Sequence, residues 1–215
     1  FGASSARFGA DEAQYYAYNI DTKQQRGVHM SESFIIEQCA PTLAGIKTGN
    51  LFTSPYDTKD EVRARVRELN RLLVPKGLCI LPLRYSDRRV LLYLYSPSRL
   101  RHDLSDELAA ELLRGAGYAD TGLESCLVRL INRLRDGGDF PHEIGLFLSY
   151  PPEDVKGFID HKAAGFKYSG LWKVYGDEEK AKRLFAKYKK CTDVYCRLNE
   201  AGLGIAQLAV SAAAV

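Results

Sequence analysis

Cys39 and His142 are the pair in this chain whose types could make a nucleophile. A thiolate formed beside an imidazole attacks acyl carbons, and a carboxylate that orients the ring completes the set. Glu143, next to the histidine, or Asp160 could be that third group. Cysteine first and histidine well after it is an order that suits a cysteine-dependent hydrolase or acyl-transfer enzyme, with Cys39, His142 and Glu143 as its catalytic residues. The plainer alternative has Cys39 packed as a small hydrophobe and His142 capping the Phe140-Pro141 turn. Pro41 favours that alternative, because it leaves little room for a regular helix after the cysteine.

A second constellation surrounds Gly45-Ile-Lys-Thr-Gly-Asn. Glycines let successive backbone N–H groups approach an anion, and a lysine adds charge. A Walker A loop places its lysine after the second glycine, whereas Lys47 and Thr48 precede Gly49, so this is not a nucleotide-triphosphate P-loop. What remains is an anion-binding turn built from Thr42, Lys47, Thr48 and Asn50, or a tight bend in which the glycines only supply positive φ.

No metal site is expected. Cys191 and Cys196 are five positions apart on a predicted helix and point to different faces, and no Cys-x-x-Cys occurs. His102-Asp103 and Asp160-His161 read as solvated loop pairs. Basic residues gather on 63–71, around a predicted hairpin (Arg84, Arg88, Arg89, Arg99, Arg101) and on 180–190, with Tyr85, Tyr93, Tyr95 and Tyr188 among them. Converging, these faces would suit an anionic partner with a stackable ring. Apart, they are solvated helix faces neutralised by Glu68, Glu178 and Glu179. Trp172 reads as a core anchor rather than a binding platform.

The elements that must carry these residues follow from periodicity. A helical turn is predicted around Ser33 to Cys39, with Pro41 to Phe52 partly extended. Val62, Val66, Leu69, Leu72 and Leu73 fall at helical spacing between Asp60 and Val74, and Pro75-Lys76-Gly77 ends that helix. Leu78 to Arg84 and Arg89 to Tyr95 are β-rich runs joined by a turn and predict a hairpin. Helices are predicted over 105–116, with a cap at Ser105, over 123–135 and over 152–160; strands are predicted over 142–150 and 171–175. Asp177 to Asn199 is the clearest amphipathic helix. The expected class is α+β: a small mixed sheet with a central β-hairpin, about five helices and a long C-terminal amphipathic helix.

The chain has 215 residues, which suits one core. Its 30 cations are balanced by 27 carboxylates, too mild an excess to point to nucleic acid. No apolar run approaches the ~20 residues that span a bilayer, so no membrane association is expected. The five scattered cysteines predict reduced thiols in a cytoplasmic protein. Residues 1–29 lack any sustained period and read as a non-native or disordered leader. Met30, the single methionine, is the preferred initiator, because Arg26-Gly27-Val28 can be encoded by a purine-rich ribosome-binding sequence just ahead of it. The expected domain is 30–208, with 209–215 a frayed tail.

Three strings, running from Cys39-Ala-Pro-Thr to Gly49-Asn-Leu-Phe52, from Phe140-Pro-His-Glu to Lys156-Gly-Phe-Ile159, and Trp172-Lys-Val-Tyr-Gly-Asp177, resemble the bacterial family called domain of unknown function 3793. The resemblance spans Met30 to Leu208. It implies a small cytoplasmic protein with flavodoxin-like or iron-handling gene neighbours, and it assigns no catalytic residues and no cofactor. Taken with the basic faces, the expected partner is an anionic ligand or a flavodoxin-like protein. Two readings stand. The preferred one is a non-enzymatic accessory or binding protein for an anionic or redox partner; the other is the Cys39 enzyme.

Overall fold

The computed structural model describes residues 30–119, 122–136 and 140–211. The leader, 1–29, and the last residues, 212–215, lie outside the described residues. In chain order the elements are α1 (Glu32–Leu43), β1 (Gly49–Pro55), α2 (Lys59–Leu73), a 3-10 turn (Val74–Lys76), β2 (Cys79–Ser86), β3 (Arg89–Tyr95), α3 (Pro97–Leu104), α4 (Glu107–Gly115), α5 (Leu123–Arg135), α6 (Ile144–Phe147), α7 (Pro152–Asp160), β4 (Tyr168–Ser169), β5 (Lys173–Val174), α8 (Glu178–Glu200) and α9 (Ile205–Leu208).

The predicted hairpin forms, and its turn tightens to two residues. Asp87 and Arg88 take φ of 43° and 59°, the paired left-handed conformation that matches the twist of the flanking strands. β1 pairs antiparallel with the other edge of β3, giving the order β1-β3-β2. As the middle strand, β3 is covered on both faces, which is why Arg89 to Tyr95 is an almost unbroken apolar run. Val90, Leu92 and Leu94 face a core shared with α1, α2 and α9, while Leu91, Tyr93 and Tyr95 face one built by α3 to α7. The α+β expectation therefore holds, with helices on both faces of a small antiparallel sheet. α2 is tied to the sheet edge by Asn70, whose side chain exchanges two 2.9 Å hydrogen bonds with the Ile80 backbone.

Helix starts are set by short polar caps. Ser31, Thr58, Asp106 and Asp177 each accept the N–H three residues on, so the cap of α4 is Asp106 rather than the expected Ser105.

Two expected segments change type. α1 continues through Pro41 to Leu43, and extended structure begins only at Gly49. The proline sits in the last helical turn, where its missing N–H weakens only the end of the ladder, and its ring is buried. The expected strand at 142–150 is instead α6 with flanking turns. Ile144 to Leu148 is buried throughout, and an apolar run wetted on no side has no period to distinguish strand from helix. α3 has no counterpart in the sequence reading. At the C-terminus Ala209 is buried and the Val210 N–H donates to the Leu43 carbonyl at 2.9 Å, so the chain is held past 208.

β4 and β5 form a two-residue ladder that packs with α8 over a third, smaller core of Trp172, Val174, Ala181 and Tyr188. α8 also lies along α1, and this junction positions the site.

Candidate functional site: a lysine cleft between α1, the β4–β5 hairpin and α8

The end of α1 dictates where Lys47 goes. The Pro41 carbonyl accepts two N–H groups, from Ile46 at 3.0 Å and Lys47 at 3.1 Å, while Gly45, at φ 68°, turns the chain back. Ile46 then packs against the Trp172 core, and Lys47 lines a cleft of about 630 Å³. Gln38 and Pro41 of α1 border it, as do Asn50, Tyr150, Gly170 and Leu171. α8 supplies the far wall with Lys182, Phe185, Tyr188, Lys189 and Thr192. Phe185, Tyr188, Lys189 and Thr192 fall at the i, i+3, i+4, i+7 spacing of one helix stripe, with Lys182 three positions before it.

The Lys47 ammonium lies 5.9 Å from the Tyr150 ring centroid and 5.8 Å from that of Tyr188, at the outer limit of cation–π contact. It makes no hydrogen bond or ion pair with any described residue. Burial pulls its pKa down from the ordinary 10.5 to about 8, with a small opposing contribution from Cys39. Lys182 differs: it pairs with Glu178 at 2.7 Å and Glu179 at 3.0 Å and lies over the Tyr168 ring at 5.2 Å. Burial, aided by Asp103, pushes the Tyr188 phenol up to about 12, so it keeps its proton.

The other residues of the expected anion turn divide. Asn50 lines the cleft, and its Oδ1 accepts the Thr42 hydroxyl at 2.7 Å, which makes buried Thr42 a support rather than a contact. Thr48 is committed elsewhere: its N–H donates to Ser149 Oγ at 2.7 Å and its hydroxyl to Asp103. Burial raises the Asp103 carboxyl above its ordinary range, opposed by the Thr48 hydrogen bond.

The expected catalytic residues are not assembled around the cleft. Cys39 is wholly buried in the core shared by α1, α2 and the sheet, and burial drives its thiol far above the ordinary value, only partly offset by Lys47. A protonated thiol without exposure has no route to an acyl carbon. His142 lines a different and much smaller cavity, with Asp154, Phe158 and Trp172. Glu143 is buried in an ion pair with Arg133 at 2.7 Å and accepts the Tyr118 hydroxyl at 2.9 Å. It is thereby engaged with α5 and the Tyr118 segment.

Tyr150 joins the two cavities. It stacks on Trp172 with ring centroids 4.6 Å apart, and Phe185 meets the indole edge-on at 4.4 Å. Trp172 Nε1 donates to Asp154 at 2.7 Å, and the same carboxylate accepts the Tyr175 and Gly176 N–H groups, each at 2.7 Å. That cluster fixes the β4–β5 hairpin along the cleft. Of the three basic faces, only the α8 lysines 182 and 189 reach the cleft; of the four tyrosines singled out with them, only Tyr188 does. Tyr93 and Tyr95 instead stack on each other at 4.8 Å inside the core. Tyr150, Tyr168 and Phe185 escaped the sequence reading. Phe185 reads in the sequence only as one residue of the apolar face of α8, with no sign that this face borders a cleft. Among the described residues no three His, Cys, Asp or Glu side chains gather as a metal-ligand set.

All three strings that carry the family resemblance reach this region: the first gives Pro41, Lys47, Asn50 and Leu51, the second Leu148 and Tyr150, and the third Trp172 behind Tyr150. No curated protein and no solved structure matches the chain. A family model described as "Protein of unknown function (DUF3793)" matches residues 35–209, and the chain belongs to that family.

Proposed function

We propose that this protein is a binding protein for a small anion carrying a planar ring, held in the Lys47 cleft. The observation that carries the reading is a half-buried cation without a carboxylate partner among the described residues, set in a cleft walled by aromatic rings. Buried charges are ordinarily paired, because an uncompensated one is costly; a bound anion supplies the missing partner. Tyr150, Tyr168 and Phe185 offer ring faces and edges, Asn50 an amide, and Lys189 a second cation without an ion pair among the described residues. The thiol-enzyme reading has no comparable support, since Cys39 is buried and protonated.

Trp172 is the single tryptophan and stacks on Tyr150, so its emission is a built-in probe of the cleft. The protein is titrated with adenosine 5′-monophosphate, flavin mononucleotide and pyridoxine 5′-phosphate, with inorganic phosphate as the ringless control. The expected result is saturable binding of at least one ringed anion, weakened by rising salt and by about tenfold in Lys47→Gln, equivalent to ~1.4 kcal/mol. If none of the three binds, or if binding ignores both salt and Lys47→Gln, the reading is overturned.

A further inference from the structure

We infer that Lys47 captures a carbonyl-bearing anion in this cleft as a reversible imine, so that the ligand class is an anionic aldehyde or ketone with a planar ring. This rests on the reading of the cleft as an anion site and adds a covalent step to it.

An imine-forming lysine must be accessible, free of hydrogen-bond acceptors that tie up its lone pair or proton, and surrounded by walls that disfavour the ammonium. Among lysines of this chain, Lys156 and Lys182 are held by carboxylates, and Lys167 and Lys173 donate to the carbonyls of Gly176 and Ala163. Lys47 and Lys189 have no such acceptor among the described residues and both line the cleft of about 630 Å³, and of the two it is Lys47 that lies 5.9 and 5.8 Å from the Tyr150 and Tyr188 ring centroids. Its depressed pKa of about 8 leaves roughly a tenth of the side chain as neutral amine at pH 7, against about one part in three thousand at the ordinary 10.5. The groups facing it are Cys39 from α1, Tyr150, and Tyr188 with Lys182, Lys189 and Asp193 from α8. The thiol and the Tyr188 phenol stay protonated, while burial favours the neutral, nucleophilic form of the Lys47 amine.

The chemistry balances without an oxidant or reductant. The amine nitrogen attacks the carbonyl carbon and forms the C–N bond, and the carbonyl oxygen becomes the hydroxyl of a carbinolamine. That oxygen then leaves as water with two protons originating from the ammonium, as the nitrogen lone pair closes the C=N bond. The product remains protonated on nitrogen in part, so Lys189 and the iminium together face the ligand's anionic group. The flat aromatic walls suit a carbonyl conjugated to a ring, which also stabilises the imine.

The test uses the full chain with pyridoxal 5′-phosphate, an aldehyde of this class, and sodium cyanoborohydride, which delivers hydride to the imine carbon and fixes the adduct for mass-spectrometric mapping. Pyridoxine 5′-phosphate, the same ring and phosphate with an alcohol in place of the aldehyde, reports binding alone. Lys47 is expected to be modified about tenfold or more faster than any other lysine, with pyridoxine 5′-phosphate protecting it. In Lys47→Arg, which keeps the cation but forms no imine under these conditions, the dominant adduct is expected to vanish while pyridoxine 5′-phosphate still binds. Adducts spread evenly over surface lysines, with Lys47-dependent binding of the alcohol intact, would overturn the imine and leave the anion site standing. Even labelling together with no binding of the alcohol overturns both. Fast labelling of Lys47 that the alcohol does not slow also counts against the proposal, as reactivity without recognition.

Discussion

Asp154 and Lys47 sit on either side of the Tyr150–Trp172 stack, and the two charges are treated in opposite ways. The carboxylate is almost wholly buried and accepts three donors at 2.7 Å each, from Trp172, Tyr175 and Gly176. The ammonium is half-buried, close to two rings, and accepted by nothing among the described residues. Both reside in segments that carry the family resemblance. The fold thus pairs a buried charge fully where the role is architectural, and leaves a half-buried one without a protein partner among the described residues where the surroundings form a cleft. That contrast between the two charges is what motivates the proposal of an anionic ligand for Lys47.

The largest effect should come from the architectural side. Asp154→Ala strands three donors, and urea unfolding should show a loss of about 3 kcal/mol or more, since hydrogen bonds to a charged acceptor are each worth roughly 1.5 to 3. Unchanged stability would erase the contrast. Next is Gly170→Ala, because a Cβ there would come within 2.2 Å of the Phe185 ring. Displacing that ring should cost about 1 to 3 kcal/mol and weaken cleft binding together with stability.

Lys47→Gln should invert this pattern, with stability at pH 7 equal to or above that of the parent, because it removes the penalty that burial places on the ammonium, while anion binding falls. A pH series sharpens it. The Lys47 pKa is lowered on folding, so between about 8 and its ordinary 10.5 the unfolded chain holds a proton that the folded chain has lost. Stability therefore gains from rising pH across that window and is penalised below it. The difference between parent and Lys47→Gln, which cancels the tyrosines and other shared groups, should climb from about pH 8 to 10.5; a flat difference would mean Lys47 is solvated like any surface lysine. The smallest effect is expected for Thr42→Val, which removes the hydroxyl that Asn50 accepts and should weaken binding by about two- to fivefold without dislodging the turn.

How much of this was legible in the sequence depends on how local each cause is. The hairpin, the α2 stripe and α8 were readable because their periods and turn residues act over a few positions. α6 was not, since Ile144 to Leu148 is buried on every side and shows no alternation. Of the residues expected in an anion turn, Lys47 and Asn50 line the cleft, but Thr48 is claimed by Ser149 and Asp103, partners that only the tertiary fold brings near. Cys39 and His142 drew attention by residue type, which could supply neither the burial of Cys39 nor the separate cavity that His142 lines. Tyr150 was invisible for the converse reason, because nothing near it in sequence announces that Lys47, Trp172 and α8 converge on its ring.

Ser149 holds a left-handed backbone, φ 62°, that a serine adopts only under constraint, and its hydroxyl accepts the Thr48 N–H from 101 residues away. That single bond spans from the Lys47 turn to the segment carrying Tyr150. Any motion that parts those two walls must release the Thr48 amide to solvent, so the deuterium-exchange lifetime of this one proton is a clock for the opening of the cleft.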